Sequence, residues 1–306
     1  MAEFCYTRSG RCYNQMISNK NEIKYSEFIC DMDIDESNSD EEDLVFDKKS
    51  QLKKILGRGG SGIVYLLTDN CGKQFILKAV YKNRHVIKRS EYREIQINKL
   101  VKNHPNIANL VKVEENKKHY FLYFDSVGRG NVYNTMVAAG NRNEKLVARV
   151  VRDVLLGLQH CHKFNILHMD IKPENVIESM DGSKFFLCDF GWSRFVDSIT
   201  KQTSSEVCGT LDYFAPDILD AKSISFPVDL WCVGILTFEL LTGHPPFTDP
   251  EDREVTKQNI RELNFKFPWT LSSFAQSFIA GLLKFLPEDR NTIEACLNHK
   301  FIKDNI

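Results

Sequence analysis

The sequence predicts an α+β fold of two lobes: a small antiparallel β-rich lobe with one main helix, then a larger, mainly α-helical lobe. Two observations carry this prediction. Residues 52–80 alternate short β-type runs with glycine-containing turns, as in an antiparallel meander. After residue 142 the apolar residues instead follow helical spacing. The chain of 306 residues is long enough for two substantial cores.

The elements of the small lobe follow from short apolar runs. Three β-type runs occupy residues 53–56, 63–67 and 75–80, with glycines in the turns between them. Residues 90–101 have the pattern of a helix, and residues 120–124 form a compact apolar strand. Together these elements predict a small sheet with one helix inserted between its strands.

Two helices define the larger lobe. Residues 142–163 place these apolar side chains on one helical face: Leu146, Val150, Val154, Leu155 and Leu158. Residues 229–241 are apolar nearly all round, which suits a helix buried in a large core. The chain contains no internal repeats, so a solenoid is not expected.

Composition is that of a globular protein from a reducing compartment. Hydrophobic residues make up 42% of the chain and charged residues 26%, both ordinary values. No apolar run approaches the ~20 residues that a membrane-spanning helix needs, and the first residues do not read as a signal peptide. The nine cysteines form no CxxC pair, which argues against a zinc site or a disulfide framework. We therefore expect a cytoplasmic or nuclear location, or both.

Residues 1–47 are predicted to be a disordered acidic extension outside the fold. Residues 31–47 contain nine acidic and no basic side chains, a composition typical of disorder. The whole chain has a formal net charge of −1, so the remainder carries +8. Two interpretations stay open: a solvated charged tail, or a regulatory tail that docks on the basic body. The predicted domain spans 48–306, with its lobes at 48–125 and 128–306.

The candidate chemistry is concentrated in residues 168–175, which read His-Met-Asp-Ile-Lys-Pro-Glu-Asn. Phosphoryl transfer to a hydroxyl uses a carboxylate that accepts the hydroxyl proton and, five residues later, an amide that holds a metal ion. Asp170 and Asn175 have that spacing, and Lys172 between them can offset phosphate charge. Asp189 begins the string Asp-Phe-Gly nineteen residues after Asp170, a second metal-binding signature. The two strings together predict a phosphoryl-transfer site.

A glycine-rich loop is predicted to hold the phosphates of a nucleotide. Residues 57–64 fit the pattern GxGxxGxV, and glycines let backbone amides approach phosphate without a Cβ in the way. Lys78 follows on the third β-type run, and Glu94 on the predicted helix is its expected ion-pair partner. The expected nucleotide-binding residues of this lobe are Leu56, Gly57, Arg58, Gly59, Gly60, Ser61, Gly62, Ile63, Val64, Ile76 and Lys78.

These motifs resemble those of eukaryotic-type protein kinases, and the resemblance covers residues 52–302. Its nearest likeness is to the Aurora group of serine/threonine kinases. The specific strings are Asp-Phe-Gly-Trp-Ser at 189–193 and Val-Cys-Gly-Thr-Leu-Asp-Tyr at 207–213. The resemblance implies the bilobal protein kinase fold and transfer of phosphate from ATP to serine and threonine in protein substrates. More widely shared strings are Arg-Glu-Ile at 93–95, His-Pro-Asn-Ile at 104–107, Val-Asp-Leu-Trp at 228–231 and Gly-His-Pro-Pro-Phe at 243–247.

The resemblance also implies a role for each matching catalytic position. Asp170 would orient the acceptor hydroxyl and take its proton, while Lys172 stabilises developing charge. Lys78, positioned by Glu94, would hold the phosphates of ATP. The metal ligands are expected to be Asn175 and Asp189, with Mg²⁺ as the ion and Mn²⁺ as an alternative.

Further positions follow from the same resemblance. Asp125, with Val127 two residues later, would form the hinge that hydrogen-bonds the adenine edge, and Phe124 would be the gatekeeper behind it. His168 is expected to pack beneath Phe190. Expected partners are ATP, protein substrates with upstream basic residues, and an activator peptide on the small lobe; no motif for nucleic acid or membrane binding is present.

Several departures from the family pattern lie around the nucleotide and in the large lobe. Ser61 follows an extra Gly60 at the loop tip, which costs roughly 0.5–1 kcal/mol of ordering, so we expect weaker nucleotide affinity. Ile76 replaces the usual alanine and is expected to narrow the adenine pocket. Asp217 replaces the usual glutamate, so its pair with Arg290 is expected to be looser.

Both halves of the usual activation switch are changed. Met169 stands where most such kinases have an arginine that binds a phosphorylated loop residue, and Glu206 stands where Aurora-like kinases have the phosphorylated threonine. We predict that Glu206 supplies a fixed negative charge and that activity depends only weakly on loop phosphorylation. The alternative is that Glu206 is simply a solvent-facing loop residue.

Two other functions stay open at this point. A pseudokinase scaffold that binds ATP is favoured by the altered loop tip, Met169 and Asp217, but every required ionisable group is present. A small-molecule kinase of related fold is disfavoured by the peptide-docking segment at 208–217, which such an enzyme does not need.

Overall fold

The computed structural model describes residues 50–59, 62–82, 90–196, 210–220 and 224–305. The predicted acidic extension, the loop tip at Gly60 and Ser61, and the activation-loop residue Glu206 lie outside the described residues. Within the described ranges, no helix is long and apolar enough to cross a membrane.

The small lobe is a five-stranded antiparallel sheet with strand order β1-β2-β3-β5-β4. In the described part of the chain, the helix α1 (Ser90–Val101) lies between β3 and β4. All the β-type runs and the helix predicted for this lobe fall inside these elements, so that prediction is confirmed. The strands are β1 (Ser50–Gly59), β2 (Gly62–Asp69), β3 (Gln74–Tyr81), β4 (Leu110–Glu115) and β5 (His119–Phe124).

Burial within this sheet is greatest at its centre. The middle strand β3 is covered on both faces: Leu77 and Ala79 join an apolar cluster of β2 and β5, and Val80 joins a cluster with α1. At the β1 edge, by contrast, Leu52 and Leu56 each keep 48% of their surface exposed. The sheet is therefore firmly packed under β3, which carries Lys78, and loosely packed at the glycine-rich hairpin.

The large lobe consists of helices around one main core, together with short strands, some of which are themselves buried. The helices are α2 (Glu144–Lys163), α3 (Pro216–Leu219), α4 (Pro227–Thr242), α5 (Arg253–Glu262), α6 (Ser273–Leu282), α7 (Ile293–Asn298) and α8 (Lys300–Lys303). The strands are β6 (Gly128–Asn131), β7 (Ile166–Leu167), β8 (Val176–Ser179), β9 (Phe185–Leu187) and β10 (Arg194–Phe195). Single turns of π-helix or 3₁₀-helix lie at Tyr133–Val137, Pro173–Asn175, Leu211–Tyr213 and Pro287–Asp289.

Both predicted helices of this lobe are present, with shifted ends. The first begins two residues later than predicted, because the side chain of Asn143 accepts a hydrogen bond from the amide of Leu146 (3.1 Å) and caps α2. The second begins earlier, at Pro227, a residue suited to the first helical turn. As predicted, α4 is buried, and Trp231 stacks on Phe247 in the core.

The connection from α1 to β4 is hydrogen-bonded to the large lobe. Ala108 donates its amide to the carbonyl of Leu187 (2.7 Å), and Leu187 donates to the carbonyl of Asn106 (2.9 Å). The Asn106 side chain also donates to the carbonyl of Phe185 (3.0 Å). These bonds join the end of α1 to β9, the strand that leads into Asp189.

Candidate active site

The backbone of the loop at 168–175 is held in place by one buried carboxylate, that of Asp229 on α4. Its two oxygens accept the backbone amides of His168 (3.0 Å) and Met169 (2.9 Å), and the His162 ring lies 2.9 Å away. Met169 has a left-handed backbone with φ +64, which is unfavourable for a non-glycine residue and must be held by its surroundings. Burial alone would raise the pKa of Asp229, but the hydrogen bonds from His162 and the loop outweigh it and lower that pKa.

This anchoring role was not predicted from the sequence, although Asp229 belongs to the string Val-Asp-Leu-Trp at 228–231. The available signal was an acidic residue at the third position of a helix whose other residues, apart from Thr237, Glu239 and Thr242, are apolar. A charge in that place is expensive to bury unless it is hydrogen-bonded, so it predicts a polar partner inside the core.

Within the loop, neighbouring side chains orient Asp170. The amide group of Asn175 donates to the carbonyl (2.8 Å) and to Oδ2 (2.7 Å) of Asp170. Lys172 Nζ lies 2.9 Å from the same Oδ2 and donates to Thr210 Oγ1 at 3.3 Å. Within the described ranges, Asp170 Oδ1 receives no such bond. That oxygen is therefore the one available to accept a proton from an incoming hydroxyl.

A second cluster joins the two lobes. Lys78 Nζ, on β3, lies 2.6 Å from Glu94 Oε1 on α1 and 2.9 Å from Asp189 Oδ1. The side chains of Lys78 and Glu94 are almost fully buried, whereas that of Asp189 keeps 38% of its surface exposed. The lysine predicted to hold phosphates is thus present between its predicted partner and the aspartate that begins Asp-Phe-Gly.

The charges in this cluster stabilise one another. Burial alone would lower the pKa of Lys78, but the carboxylates of Asp189 and Glu94 outweigh it and raise that pKa above its usual value. Burial alone would raise the pKa of Asp189, yet the Lys78 ammonium lowers it to about 2. For Glu94, burial dominates and raises its pKa, although Lys78 opposes the shift.

The two clusters are adjacent through the backbone. Cys188, which directly precedes Asp189, donates its amide to the carbonyl of Asn175 (3.0 Å). Asn175 and Asp189 are therefore close enough in the fold to face one ligand. Among the described residues, no group of three or more His, Cys, Asp or Glu side chains is arranged to hold a metal ion. A pair of protein ligands fits Mg²⁺, which usually completes its coordination with water and substrate phosphates.

Two side chains of chemically reactive types, those of His168 and Cys188, lie near Asp189. The ring of His168 is fully buried, 4.9 Å from that of Phe190, and its Nε2 lies 3.2 Å from the Cys188 carbonyl. Burial lowers the pKa of His168, so the predicted packing role is confirmed. Burial, with a contribution from Asp189, raises the pKa of the Cys188 thiol to about 12. A thiol in that state is not a reactive nucleophile at neutral pH.

The glycine-rich hairpin lies beside Lys78. Gly59 pairs with Gly62 across β1 and β2, and Val64 pairs with Lys78 across β2 and β3. Gly62 has φ +139, and a Cβ there would lie 2.0 Å from the carbonyl oxygen of Ala79. This glycine is thus required by the packing of β2 on β3. The sequence analysis had assigned it only to phosphate approach.

The predicted hinge directly follows β5. Val127 donates its amide to the carbonyl of Asp125 (3.0 Å), and Asp125 donates its own amide to the carbonyl of Asn109 (3.3 Å). Phe124 is half-buried at the end of β5 and pairs with Ile76 on β3. The predicted adenine-contacting positions therefore lie together at one end of the interior strands β3 and β5. The contact of the hinge with Asn109 was not predicted from the sequence.

The Asp217–Arg290 pair is present in the large lobe. Arg290 Nη1 lies 2.7 Å from Asp217 Oδ2, and both side chains are buried. The guanidinium also donates to the carbonyls of Lys284 and Pro227, each at 3.0 Å. The aspartate therefore comes within ion-pair distance despite its shorter side chain, but its Oδ2 makes no hydrogen bond of good geometry, so the looser pair stays a prediction.

Comparison with known proteins adds independent information. The family model for the protein kinase domain matches residues 50–302. Aurora kinase B of Xenopus tropicalis is 34% identical over 254 residues, which cover 82% of this chain and 69% of that protein. Aurora kinase B of Mus musculus is 32% identical over 259 residues, or 83% and 73% of the two chains. The Aurora kinase of Schizosaccharomyces pombe is 34% identical over 256 residues, or 82% and 71%.

Proposed function

Because this chain belongs to the protein kinase family, we propose that its cleft transfers the γ-phosphoryl group of Mg-ATP to hydroxyls of protein substrates. Its similarity is to the Aurora group, and it is a serine/threonine protein kinase with the bilobal kinase fold. One observation supports the proposed mechanism most directly. Asp170 has one carboxylate oxygen bound to Asn175 and Lys172 and the other left for an acceptor hydroxyl.

In the proposed mechanism, Asp170 orients the serine or threonine hydroxyl and accepts its proton. Lys172 lies within 2.9 Å of Asp170 and therefore supplies positive charge beside the transferred phosphate. Lys78, held by Glu94, positions the phosphates on the small-lobe side. Positioning and electrostatics supply most of the acceleration in such reactions, and little covalent chemistry is required of the protein.

Asn175 and Asp189 are the residues that would hold the metal ion. When bound, Mg²⁺ would supply positive charge that neutralises the charge of the phosphates. Asp189 suits this role because the Lys78 ammonium lowers its pKa to about 2 and so keeps it ionised. Its 38% exposed side chain can also accept an incoming ligand. We include Mn²⁺ as an alternative ion, since its oxygen-ligand preference is similar.

A peptide array tests the proposed reaction. The full chain is incubated with γ-labelled ATP and Mg²⁺ on peptides that differ only in carrying serine, threonine or tyrosine as the acceptor. Label on serine and threonine peptides is expected. If the protein binds ATP but labels no peptide, the scaffold alternative is correct and the proposed transfer is wrong.

The same array tests the proposed substrate preference. Glu174, next to Asn175 in the catalytic loop, is half-exposed, and we propose that it reads a basic residue upstream of the acceptor. Peptides with arginine upstream are then labelled faster than the same peptides with alanine. Equal labelling of both sets would exclude this preference. An activator peptide on the small lobe and a cytoplasmic or nuclear location remain parts of the proposal.

We further propose that activity depends weakly on loop phosphorylation, because Glu206 supplies a fixed negative charge. A carboxylate has about half the charge of a phosphate and fewer acceptor oxygens, so it needs a nearby cation. Arg93 on α1 is half-buried, and its Nε has no hydrogen-bond partner among the described residues. Burial and the like charge of Arg194 lower the pKa of Arg93. A carboxylate placed between Arg93 and Arg194, such as that of Glu206, would reduce the repulsion between the two guanidinium groups.

Phosphatase treatment tests this second proposal. Treated and untreated protein are expected to transfer phosphate at similar rates, and Glu206→Gln is expected to be less active than either. Inactivation by phosphatase, with recovery only on phosphorylation of Thr203, Ser204 or Ser205, would refute the proposal.

A further inference from the structure

All four polar groups of Asn109 are hydrogen-bonded between two separate parts of the nucleotide site. Its side-chain Oδ1 accepts the amide of Asn103 (3.0 Å), in the turn that ends α1. Its side-chain Nδ2 donates to Asp125 Oδ1 (3.1 Å) in the hinge. Its backbone amide donates to Ser126 Oγ (2.8 Å), and its carbonyl accepts the amide of Asp125 (3.3 Å).

The orientation of this side-chain amide follows from its neighbours. One end faces a backbone N–H, which can only donate, and the other faces a carboxylate, which can only accept when ionised. Exchanging the oxygen and nitrogen of Asn109 would break both bonds. Only one orientation of the Asn109 side-chain amide therefore connects Asn103 to Asp125. We call these two side-chain hydrogen bonds the Asn109 bridge.

Each end of the bridge reaches an element that the reaction uses. Asn103 has a left-handed backbone with φ +65 directly after α1, a common way to end a helix, and α1 carries Glu94. Asp125 lies in the hinge proposed to hydrogen-bond adenine. The bridge is present in the same structure in which Lys78 and Glu94 are 2.6 Å apart. The bridge is therefore formed in the conformation in which α1 brings Glu94 to Lys78.

We propose that Asn109 is a positioning residue that holds the hinge in register with the end of α1, and so prepares it for the adenine edge. This inference rests on the proposed ATP site. Glu94 lies in the first turns of α1, whereas Asn103 lies beyond its last residue, Val101, which is itself fully buried. Loss of the bridge should therefore disturb the hinge far more than the Lys78–Glu94 pair.

Variants at both ends of the bridge separate its effect from general damage. In Asn109→Asp, a carboxylate faces Asp125, and the KM for ATP is expected to rise ~10-fold, equivalent to about 1.4 kcal/mol. Asn109→Ala keeps the backbone bonds and should raise that KM ~3-fold. Asp125→Asn keeps an acceptor for Asn109 and serves as the single-variant reference for the exchanged pair. In the two Asn109 variants, kcat is expected to stay within ~2-fold of the parent.

The exchanged pair provides the rescue. In the double variant Asn109→Asp with Asp125→Asn, the new carboxylate still accepts the Asn103 amide and now accepts from the new amide at 125. Its KM for ATP is expected to return to within ~2-fold of the Asp125→Asn value. A purely structural role for Asn109 would instead lower the melting temperature and kcat together and leave KM unchanged. That result, or a double variant no better than Asn109→Asp, would overturn the proposal.

A measurement without nucleotide keeps this test independent of the proposed function. Hydrogen exchange at the Asn103 amide is followed by NMR in the ligand-free chain. Exchange should be faster in Asn109→Ala and return to the parent rate in the double variant. If the parent neither bound nor used ATP, the proposed function would fail, while unchanged exchange in Asn109→Ala would by itself refute the bridge.

Discussion

The two lobes hold their functional side chains by different means. In the large lobe, backbone amides of the catalytic loop are bound to Asp229, which belongs to the buried helix α4. In the small lobe, Lys78 is held through side chains, by Glu94 on α1 and by Asp189 beyond β9. The first arrangement is independent of any ligand charge. The second consists of charges that an incoming nucleotide and metal ion would redistribute.

The two lobes also differ in how deeply their apolar side chains are buried. Residues of α4 from Val228 to Leu241 are buried, whereas Leu52 and Leu56 on β1 are each 48% exposed. Regions with few buried apolar contacts open at lower free energy than the core. Under the proposed mechanism, the difference implies that the side of the site that would activate the hydroxyl is preformed, whereas the side that would bind the nucleotide is completed by its ligand. The following variants test whether the two sides separate in this way.

The largest effect on stability is expected for Asp229→Asn. The new NH₂ group would face a backbone amide or His162 and leave a buried donor unsatisfied, so the free energy of unfolding should fall by roughly 3 kcal/mol. Because the catalytic loop loses its anchor, the transfer rate should fall too, while the Kd for ADP changes less than ~3-fold. Chemical denaturation and calorimetric binding measure the two effects.

Asp153→Asn is the matched control for this variant. Asp153 is 2% exposed, and its Oδ2 accepts the amide of Phe185 (2.9 Å), not an amide of the catalytic loop. It should lose stability with a much smaller loss of transfer rate. Equal loss of transfer in both variants would show that Asp229 acts through general stability alone.

For Lys78→Met, in contrast to Asp229→Asn, we expect nucleotide binding to be weakened as well as transfer. Removal of the ammonium should lower the transfer rate ~100-fold, or about 2.7 kcal/mol, and weaken ATP binding. It also leaves Glu94 buried without its partner, which is destabilising. The double variant Lys78→Met with Glu94→Gln should recover stability but not transfer. If transfer also recovered, the pair would be structural, and the proposed role of Lys78 in phosphate binding would be wrong.

A smaller effect is expected on the acid side of the stability profile. Lys78 lowers the pKa of Asp189 in the fold from 3.8 to about 2, so folding favours its ionised form. The resulting stability is complete above pH ~4 and is lost as the pH falls toward ~2. Because the side chain is 38% exposed, solvent screening limits the contribution to ~1 kcal/mol or less. Unfolding curves of the parent and Lys78→Met should therefore converge over this pH range; a constant difference would contradict this.

Local pattern was sufficient to predict the two lobes and their main elements. The strands β1, β2, β3 and β5 and the helix α1 were predicted from runs of apolar residues, and the helices α2 and α4 from their periodicity, whereas β4 and the shorter helices were not predicted. The start of α2 was misplaced by two residues because a cap such as Asn143 is recognised only once the first helical turn is known. The motifs also identified the side chains that form the two clusters of the site.

The supporting contacts could not be predicted in the same way, because they join residues far apart in the chain. Asp229 is sixty residues from Met169 in sequence, and Asn109 is sixteen from Asp125. Neither pair has a local signature. The tight packing of Gly62 on Ala79 likewise depends on the register of β2 with β3, which the glycine pattern alone does not reveal.

The most direct measurement of the central claim compares the parent with Asp170→Asn in two assays on the same sample. Asparagine keeps the size of the side chain but cannot accept the hydroxyl proton, so transfer from ATP to a serine peptide should fall at least ~1000-fold. The Kd for ATP should change less than ~2-fold, because the groups proposed to bind the nucleotide, Lys78 and the hinge, are not altered. Transfer at near the parent rate would contradict the assignment of Asp170 as the proton acceptor. Parallel loss of ATP binding would contradict the separation of the two sides.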